Sequence, residues 1–475
     1  MPNSHALISH YQLNEASHLF SGNMGNILIG CPPEVLKTLM QKHLPMPDTI
    51  VIPGTVVNQY SSLASLEFPF YHFLFIQQGL AQGKKFRVLA KAAMAKNLEA
   101  MLKMTLIGPS LEESLAVEKN LGIEEKLNKD FLAQVYKETQ FLALKNKEGE
   151  ILKITDLVEF VTFEVGDEIT LYPALHDEPD FKIKRTGDDD FIVTGKKDYP
   201  VSVKTTQAFE PAYSIKAAKA TAKELFSLNF SVRLLGVSEG FDPSGPANGI
   251  LIHFNGKWVL WDCPAFAREH LAKVGIGFGD LDALFISHVH EDHIDVAQTL
   301  EEGKKVKLYS SPEIYHSMLV KVQAVLDCTY EEAASHYDFH PVYAREPFKL
   351  FGAKAEVFYS VHAIPALGLK LNVPSTKGES SLFISGDHLP ERAIANLKEK
   401  GIFTPERLAE LAELRPDIYK YNLVLVDAGG GMIHGDAQDY FSNPNLVNYM
   451  HTGKPIEGVP QKHKQVGQGH CFRIH

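Results

Sequence analysis

Residues 230–263 alternate between apolar runs and short polar breaks, a pattern typical of consecutive β-strands. The stretch FSVRLLGVSEGFDPSGPANGILIHFNGKWVLWDC indicates a strand, a Gly/Pro-rich loop, a strand, a turn and a strand. The Asn-Gly pair at 255–256 lies between two runs rich in apolar residues, which predicts a β-hairpin with a tight turn. A further apolar run, ALFIS at 283–287, predicts another strand. The stretch DVAQTLEEG at 295–303 then predicts a helix.

The two halves of the chain show similar segments in the same order. NILIGCPPEVLKTL at 26–39 parallels WVLWDCPAFAREHL at 258–271, and DTIVIPG at 48–54 parallels DALFISH at 282–288. The other parallel pairs are 82–102 with 302–321, 171–184 with 358–371, and 190–200 with 381–391. Such a series indicates a duplicated fold.

A polar, helix-prone stretch separates the two halves. SIKAAKATAKELFS at 214–227 is rich in Ala and Lys, which predicts a helix with one solvated face. We therefore predict an N-terminal domain at 1–213, a helical linker at 214–228 and a C-terminal domain at 229–475. Two domains agree with the length of 475 residues, which is more than one compact core usually accommodates.

Composition narrows the function classes. The formal charge is 47 − 58 = −11, which disfavours bulk nucleic acid as a partner because nucleic-acid binders present basic surfaces. The four cysteines form no CxxC pair, so neither a disulfide framework nor a thiolate zinc site is indicated. The N-terminal residues lack the layout of a signal peptide, and no apolar run reaches membrane-spanning length. We expect a cytoplasmic protein without a membrane association.

The segment FISHVHEDHID at 285–295 contains the clearest chemical signal. It places three histidines and two acids within six positions, directly after a predicted buried strand. Imidazole and carboxylate groups are ligands for divalent transition metals. We therefore take His288, His290, Asp292 and His293 as metal-ligand candidates, at a strand end where α/β proteins usually place their chemistry. A polar loop with chance histidines is the alternative that this dense spacing disfavours.

Three further segments of the second half supply candidates. His362 and Asp387 each follow a predicted strand, and His451 lies in LVNYMHTGKP. Asp427 and His434 lie in NLVLVDAGGGMIHGDAQDY, whose glycines allow a tight turn. Considered singly, each could instead be a structural histidine or a capping acid. The first half has IPGTVVNQYSS where the second has its histidine cluster, and its lone His176 is read as structural.

Residues 229–475 resemble the metallo-β-lactamase fold, and within it the group around ribonuclease Z and related phosphodiesterases. The run WVLWDCPAFAREHLAKVGIGFGDLDALFISHVHEDHID is similar to that group's Asp-containing strand end followed by H-x-H-x-D-H. The resemblance implies an αββα sandwich in the C-terminal half, with a degenerate, metal-free copy of the same fold in the N-terminal half. DCPAF departs from the usual Asp-Cys-Gly-Glu-Gly.

The resemblance also implies a site for two divalent metal ions, with zinc favoured and manganese or iron as alternatives. One metal would be held by His288, His290 and His362. The other would be held by Asp292, His293 and His451, and Asp387 would bridge both. Asp427 and His434 match an acid-containing and a histidine-containing loop of the ribonuclease Z group.

The expected activity is a phosphodiesterase that uses a metal-bridging hydroxide on a small nucleotide or cyclic nucleotide. His434, oriented by Asp427, is the candidate general acid, and Asp292 is counted with the catalytic residues. Alternatives are a carboxylic or thioester hydrolase, a ribonuclease Z-like endonuclease, a di-iron redox enzyme on the same ligands, and a sensor whose first half binds a ligand. The expected assembly is either a monomer with an internal pseudo-dimer or a homodimer.

Overall fold

The computed structural model describes residues 8–23, 25–57, 61–172, 181–195, 197–205, 210–216, 229–375, 378–431 and 433–474. Two compact units are present. Unit 1 consists of Met1–Leu102, Leu152–Ala212 and Val320–Ala333, and unit 2 consists of Lys103–Ile151, Tyr213–Leu319 and Ala334–His475. Most of the predicted linker, 217–228, lies outside the described residues, and the predicted domain boundaries stay a prediction.

Unit 1 contains a six-stranded sheet in which sequence order and spatial order coincide. Its strands are β1 (Ser9–Asn14), β2 (Ser17–Gly22), β3 (Gly25–Ile29), β4 (Thr49–Val51), β5 (Phe86–Ala90) and β6 (Val158–Thr162). The first three strands pair antiparallel, and β3 to β6 pair parallel. A second, antiparallel sheet contains β7 (Glu168–Tyr172), β8 (Phe181–Arg185), β9 (Asp190–Thr194) and β10 (Asp198–Ser202).

The first sheet of unit 2 follows the same plan. Its strands are β11 (Phe230–Gly236), β12 (Gly249–Phe254), β13 (Lys257–Trp261), β14 (Ala283–Phe285), β15 (Val306–Ser310) and β16 (Tyr337–Pro341), with β24 (Cys471–Arg473) added beside β11. β11 to β13 pair antiparallel and β13 to β16 pair parallel, as β1 to β6 do in unit 1. This shared order and sense is what a duplicated fold predicts.

The second sheet of unit 2 contains the later parts of the candidate site. Its strands are β17 (Phe348–Leu350), β18 (Ala353–Ser360), β19 (Ala366–Ser375), β20 (Gly378–Ile384), β21 (Leu423–Asp427), β22 (Asn448–Met450) and β23 (Lys464–Gln465). β17 to β20 pair antiparallel, whereas β20 to β23 pair parallel. The carboxyl ends of β20, β21 and β22 therefore meet at one edge of the sheet.

The predicted hairpin at 255–256 is confirmed. Phe254 pairs with Lys257 across a two-residue turn, so β12 and β13 are directly connected. Asn255 and Gly256 have φ of 51° and 71°, the left-handed values that this turn requires at both central positions. The hairpin fixes the register of β13, whose last residue Trp261 precedes Asp262.

Helices accompany the strands on the outer faces of the sheets. The α-helices are Val35–Gln41, Glu67–Tyr71, Ala92–Leu106, Leu111–Leu121, Lys129–Leu142, Ile154–Leu157, Ala267–Val274, Pro312–Leu326, Tyr330–Ser335, Glu391–Glu399 and Pro405–Ile418. A π-helix spans His72–Ile76, and short 3₁₀ helices span Phe278–Asp280, Val296–Thr299 and Ala437–Tyr440. The helix predicted from 295–303 is thus reduced to four residues. Across the described parts of the chain, every helix falls short of the length and apolarity that a membrane crossing requires.

Aromatic and aliphatic contacts show the layers of unit 2. Tyr309 on β15 stacks with Phe348 on β17 at a centroid distance of 6.3 Å, so the two sheets face each other. Tyr315 of the helix Pro312–Leu326 stacks on Phe339 of β16 at 3.9 Å, which places this helix on the first sheet. Leu414 of the helix Pro405–Ile418 packs with Phe358 and other residues of the second sheet. The α/β sandwich predicted for the C-terminal half is confirmed.

Unit 2 also contains three helical pieces from the first half of the sequence. The segment Lys103–Ile151, hereafter the inserted segment, lies in chain order between β5 and β6 but belongs to unit 2. Its Glu138 carboxylate accepts hydrogen bonds from Arg407 Nε and Nη2 at 2.9 and 3.1 Å, and both side chains are buried. Arg407 Nη1 also donates to Glu410 at 2.7 Å. A bidentate pair in this setting holds the inserted segment to the helix Pro405–Ile418.

We predict that Glu138→Gln lowers the free energy of unfolding by about 3 kcal/mol or more, because it leaves the buried Arg407 guanidinium without one of its counter-charges. Chemical denaturation measures this change. Glu159→Gln is the matched control, since Glu159 pairs with Arg87 at 2.8 Å but is half exposed. Its effect should stay within about 0.5 kcal/mol. Equal effects of the two substitutions would contradict the structural role given to the Glu138–Arg407 pair.

Candidate metal centre

All the candidate ligands of the second half follow the ends of strands. The run His288 to His293 forms the loop after β14, and His362 follows β18. Asp387 follows β20, and His451 follows β22. The strands end there because each apolar run gives way to polar residues and glycine. Gly386, with φ of 61°, has the left-handed backbone that precedes Asp387, and a Cβ on it would lie 2.3 Å from the Leu367 carbonyl oxygen.

The first group of ligand atoms consists of three imidazoles and one carboxylate. His290 Nδ1 lies 3.2 Å from His288 Nε2 and 3.1 Å from His362 Nε2. Asp387 Oδ2 lies 3.6 Å from His288 Nε2 and 3.9 Å from His362 Nε2. All four side chains are buried. One atom from each of these residues lies within 4.8 Å of the others, as a single coordination sphere requires.

The second group lies on the other side of the same aspartate. His293 Nε2 is 3.2 Å from Asp387 Oδ1 and 3.3 Å from His451 Nε2. His451 Nε2 is also 3.1 Å from Asp292 Oδ2. His451 has a φ of 60°, a left-handed conformation that is uncommon for a residue with a side chain and typical of functional sites. Asp387 Oδ1 therefore faces His293, whereas Oδ2 faces the first group and also lies 3.9 Å from His451 Nε2.

The donor set fits divalent cations. Four ligands at 2.0–2.1 Å from a tetrahedral ion are spaced by about 3.3 Å, close to the spacings of the imidazole nitrogens in both groups. Asp387 Oδ2 is buried and accepts no hydrogen bond, although it faces several ring nitrogens. An ionised oxygen in that position is costly unless a cation compensates it. These side chains therefore form a more favourable arrangement with bound metal ions than with one another alone.

The ring nitrogen of each histidine that points away from the cluster faces an oxygen. The five contacts are His288 Nδ1 with Ser287 Oγ at 3.0 Å, His290 Nε2 with the Thr105 carbonyl at 3.0 Å, His293 Nδ1 with Asp262 Oδ2 at 2.7 Å, His362 Nδ1 with the Ile433 carbonyl at 3.1 Å, and His451 Nδ1 with Asp427 Oδ1 at 3.4 Å. Oxygen partners of this kind select the tautomer that presents the opposite nitrogen to a metal.

Asp262 is the buried partner of the His293 loop. Its carboxylate accepts from the Ser287 amide at 2.8 Å and from Ser287 Oγ at 2.9 Å, besides contacting His293. Burial raises the pKa of Asp262, against the opposing effect of His293. Asp262 has a φ of 60° and directly follows β13. The hairpin β12–β13 therefore places Asp262, the residue that contacts His293 of the second group.

The electrostatics differ between the two groups. Burial holds the pKa of His288 and of His290 well below the usual value, and it lowers the pKa of His362 to about 4. These imidazoles are neutral, as metal ligands must be. Burial also acts on His293, but the carboxylates of Asp387 and Asp292 outweigh it and raise the pKa of that imidazole. The same negative field favours a metal cation there.

A glycine-rich loop brings a further histidine to the cluster. His434 Nδ1 lies 3.3 Å from Asp427 Oδ2 and 3.4 Å from Asp387 Oδ2. The Asp427 carboxylate also accepts from the amides of His388, Gly429 and Gly435 at 2.9–3.1 Å. A Cβ at position 429 would lie 2.8 Å from the His451 carbonyl oxygen, so glycine permits the close approach. With a side chain about 17% exposed, His434 is more accessible than the ligand histidines.

The structure brings the nine predicted site residues into three overlapping groups. They are His288, His290, His362 and Asp387; Asp387, Asp427, His434 and His451; and Asp292, His293 and His451. His176 lies outside the described residues. Two contributors were missed from the sequence. No separate role was assigned to Asp262 from the sequence. Its position directly after a predicted strand could have indicated that it belongs to the site. The role of the Thr105 carbonyl could not be predicted from the sequence, because every residue has a main-chain oxygen.

Comparison with known proteins places the similarity in the same region. The family model of the Anti-Pycsar protein Apyc1 matches residues 230–404. The chain is 29% identical over 208 residues to the cGMP-dependent 3′,5′-cGMP phosphodiesterase A of Dictyostelium discoideum, covering 43% of this chain and 23% of that protein. It is 22% identical over 491 residues to the cAMP/cGMP-dependent 3′,5′-cAMP/cGMP phosphodiesterase B of the same organism, covering 92% and 42%. The chain thus spans less than half the length of these curated relatives.

Other similar proteins include ribonuclease Z of Methanopyrus kandleri, 22% identical over 138 residues that cover 28% of this chain and 46% of that enzyme. Among solved structures, a diphosphatase of the PhnP family aligns with a TM-score of 0.38 at 16% identity, over 51% of this chain and 96% of that one. The family model and the curated relatives confirm the predicted resemblance to the ribonuclease Z and phosphodiesterase group of metallo-β-lactamase fold hydrolases.

We predict that Asp387→Ala lowers the affinity for both metals by at least about 10-fold to 100-fold, because it removes an oxygen from each group and second-sphere losses alone have effects of that size. Metal analysis after dialysis against a defined free concentration measures the change. Asp338→Ala, at an exposed position of β16, is the control and should retain the metal content of the unmodified chain. Loss of one metal with full retention of the other would show that Asp387 is not shared.

Proposed function

We propose that this chain is a dinuclear metal-dependent phosphodiesterase acting on a small cyclic nucleotide. The single observation that supports this most strongly is that the Asp387 carboxylate lies 3.6 Å from His288 Nε2 and 3.2 Å from His293 Nε2, with the His434–Asp427 pair beside it. This arrangement combines two cation sites with an adjacent proton donor. Hydrolysis of a phosphodiester with an alkoxide leaving group uses both, because charge develops on the phosphoryl oxygens and the leaving oxygen takes up a proton.

In this proposal, His288, His290 and His362 hold one divalent ion, and Asp292, His293 and His451 hold the other. When bound, two such ions activate a water molecule and withdraw charge from the phosphoryl oxygens. Asp387 holds the two positions together. Zinc is the favoured metal because nitrogen and carboxylate donors at these spacings suit it, with manganese and iron as alternatives.

His434 is proposed as the general acid. Asp427 contacts its Nδ1, which leaves Nε2 as the nitrogen that faces a substrate. Three main-chain amides hold the Asp427 carboxylate, so the imidazole has a fixed direction. Because His434 is partly exposed whereas the ligand histidines are buried, it can reach a bound phosphodiester.

A small cyclic substrate is favoured over bulk nucleic acid. Two curated relatives, whose matches cover 43% and 92% of this chain, are named for 3′,5′-cyclic nucleotides. The chain has a formal charge of −11, which opposes binding of a polyanion. The described residues between His362 and Asp387 form the hairpin β19–β20, in which Ser375 pairs with Gly378, and the two remaining residues are too few for a long arm that could grip tRNA.

A ribonuclease Z-like endonuclease is the second candidate. It is favoured by the similarity to ribonuclease Z of Methanopyrus kandleri over 138 residues. The same metal ligands and the same His434–Asp427 pair would serve either substrate. A carboxylic or thioester hydrolase and a di-iron redox enzyme on these ligands remain separate chemical outcomes for the experiment to distinguish.

The proposal is tested by metal analysis of the purified chain followed by hydrolysis assays on matched substrates. The panel comprises 3′,5′-cAMP, 3′,5′-cGMP and their pyrimidine counterparts, bis-p-nitrophenyl phosphate, a precursor tRNA, and a carboxyl ester and a thioester. We expect chelator-sensitive hydrolysis of at least one cyclic nucleotide that exceeds cleavage of precursor tRNA. Faster cleavage of precursor tRNA than of every cyclic nucleotide would favour the second candidate. Hydrolysis of the esters alone would refute both.

We predict that His434→Ala retains both metals and slows hydrolysis of a cyclic nucleotide by about 10²–10⁴-fold, the usual contribution of a general acid. The loss on bis-p-nitrophenyl phosphate should be much smaller, because p-nitrophenolate leaves without protonation. His340→Ala, an exposed histidine on β16, is the control and should leave both rates unchanged. An equal loss on both substrates, or loss of a metal, would show that His434 has another role.

A further inference from the structure

The ligand His290 is the member of the cluster whose outer partner lies farthest away in sequence. Its Nε2 lies 3.0 Å from the main-chain carbonyl oxygen of Thr105, a separation of 185 residues along the chain. Both residues are buried. Nε2 must donate in this contact because a carbonyl oxygen only accepts. Nδ1 is then the nitrogen with the free lone pair, and Nδ1 is the atom that lies beside His288 Nε2 and His362 Nε2.

The Thr105 carbonyl lies in the last turn of a helix. The helix Ala92–Leu106 ends one residue later, and the amides of Ile107 and Gly108 both turn back to the Lys103 carbonyl at 2.9 and 3.0 Å. The last four carbonyls of a helix have no amide partner within it. They also form the negative end of the helix dipole. A partial negative charge at His290 Nε2 strengthens the opposite nitrogen as a donor to a cation.

The chain immediately after the helix contacts a second ligand loop. Gly108 has a φ of 82°, and a Cβ placed on it would lie 3.2 Å from Pro365 Cδ and 3.7 Å from Ile364 Cγ2. Both residues belong to the turn that follows His362. The same short stretch therefore contacts His290 through Thr105 and lies next to the turn that follows His362.

The helix Lys129–Leu142 of the inserted segment packs beneath the same region. Phe141 and Leu142 pack against a buried cluster that includes Val361 and Leu389. Val361 precedes His362, and Leu389 lies two residues after Asp387. The Glu138–Arg407 ion pair holds this helix in place, together with hydrogen bonds from Gln134 Nε2 to the Ile402 carbonyl at 3.2 Å and from Lys137 Nζ to the Gly401 carbonyl at 2.9 Å.

We propose that Thr105 is a positioning residue of the metal centre: its main-chain carbonyl fixes the tautomer of His290, and the inserted segment holds that carbonyl in place. The metal-binding half of the fold is then incomplete without residues from the first half of the sequence. This inference rests on the proposed metal centre and adds a supporting element that the ligand motif does not contain.

A pair of glycine substitutions tests the proposal in the full chain. Gly108→Ala adds a methyl group that meets Pro365, whereas Gly122→Ala adds one at a helix end with φ of 66° and no heavy atom within 4 Å. Both changes impose left-handed strain on the inserted segment. Only the first displaces the chain next to Thr105, so the pair separates local positioning from general destabilisation.

The measurements are the dissociation constants of Zn²⁺ and Co²⁺, the visible absorption of the Co²⁺-loaded chain, and the melting temperature in chelator. We expect Gly108→Ala to weaken the binding of one of the two metal ions by about 10-fold to 100-fold and to alter the Co²⁺ spectrum. Gly122→Ala should match the unmodified chain in both readouts, with a melting temperature close to that of Gly108→Ala. Equal metal affinity in both variants and the unmodified chain would overturn the positioning role.

A second measurement applies if Gly108→Ala does not fold. In the unmodified, Zn²⁺-loaded chain with ¹⁵N-labelled histidine, the His290 ring should show a slowly exchanging proton on Nε2 and a metal-shifted Nδ1. A proton on Nδ1 would overturn the proposal. If the unmodified chain binds no metal, the proposed metal centre itself fails, and this result is distinct from normal metal binding combined with the wrong tautomer.

Discussion

The structure depends on the burial of many imidazole and carboxylate groups in one small volume. Six imidazoles and the carboxylates of Asp292, Asp387 and Asp427 lie within overlapping groups of ligand atoms, and Asp262 lies directly behind them. The four carboxylates bring up to four negative charges when ionised. Burial of an uncompensated ion costs several kcal/mol, whereas two divalent cations would balance this charge. The site is therefore organised around positive charge.

The rest of unit 2 holds these groups at the ends of strands by short contacts. The candidate ligands lie in loops that follow strands, and four of the five ligand histidines have an outer ring nitrogen within hydrogen-bond distance of an oxygen. Left-handed backbone at Asp262, His451 and Gly386 lets the chain turn immediately after each strand. The result is a set of donors whose directions are fixed by the sheets. This rigidity suits a reaction in which geometry and charge, more than movement, lower the barrier.

The parts of this arrangement that were predictable are the local ones. The cluster at 288–293 is dense enough to identify from six residues, and the Asn-Gly turn at 255–256 follows from two. The corresponding strand order of β1–β6 and β11–β16 was indicated by the matching segments of the two halves. These signals depend on residues that are close in sequence, so chemistry and spacing alone reveal them.

The contributions that escaped prediction all depend on long-range packing. Glu138 and Arg407 are separated by 269 residues, and His290 and Thr105 by 185. Nothing in the polar, amphipathic stretch around Glu138 distinguishes a helix of unit 2 from one of unit 1. The position of Thr105 depends on where one helix ends, and its contribution is a main-chain atom. Such contacts appear only when the chain is folded.

Anomalous diffraction at the absorption edge of the bound metal determines whether two metal ions share Asp387. We expect two peaks about 3.5–4 Å apart, the usual spacing of two-metal hydrolytic sites. One peak should be surrounded by His288, His290 and His362, and the other by Asp292, His293 and His451. A single peak, or two peaks without Asp387 between them, would show that Asp387 is not shared.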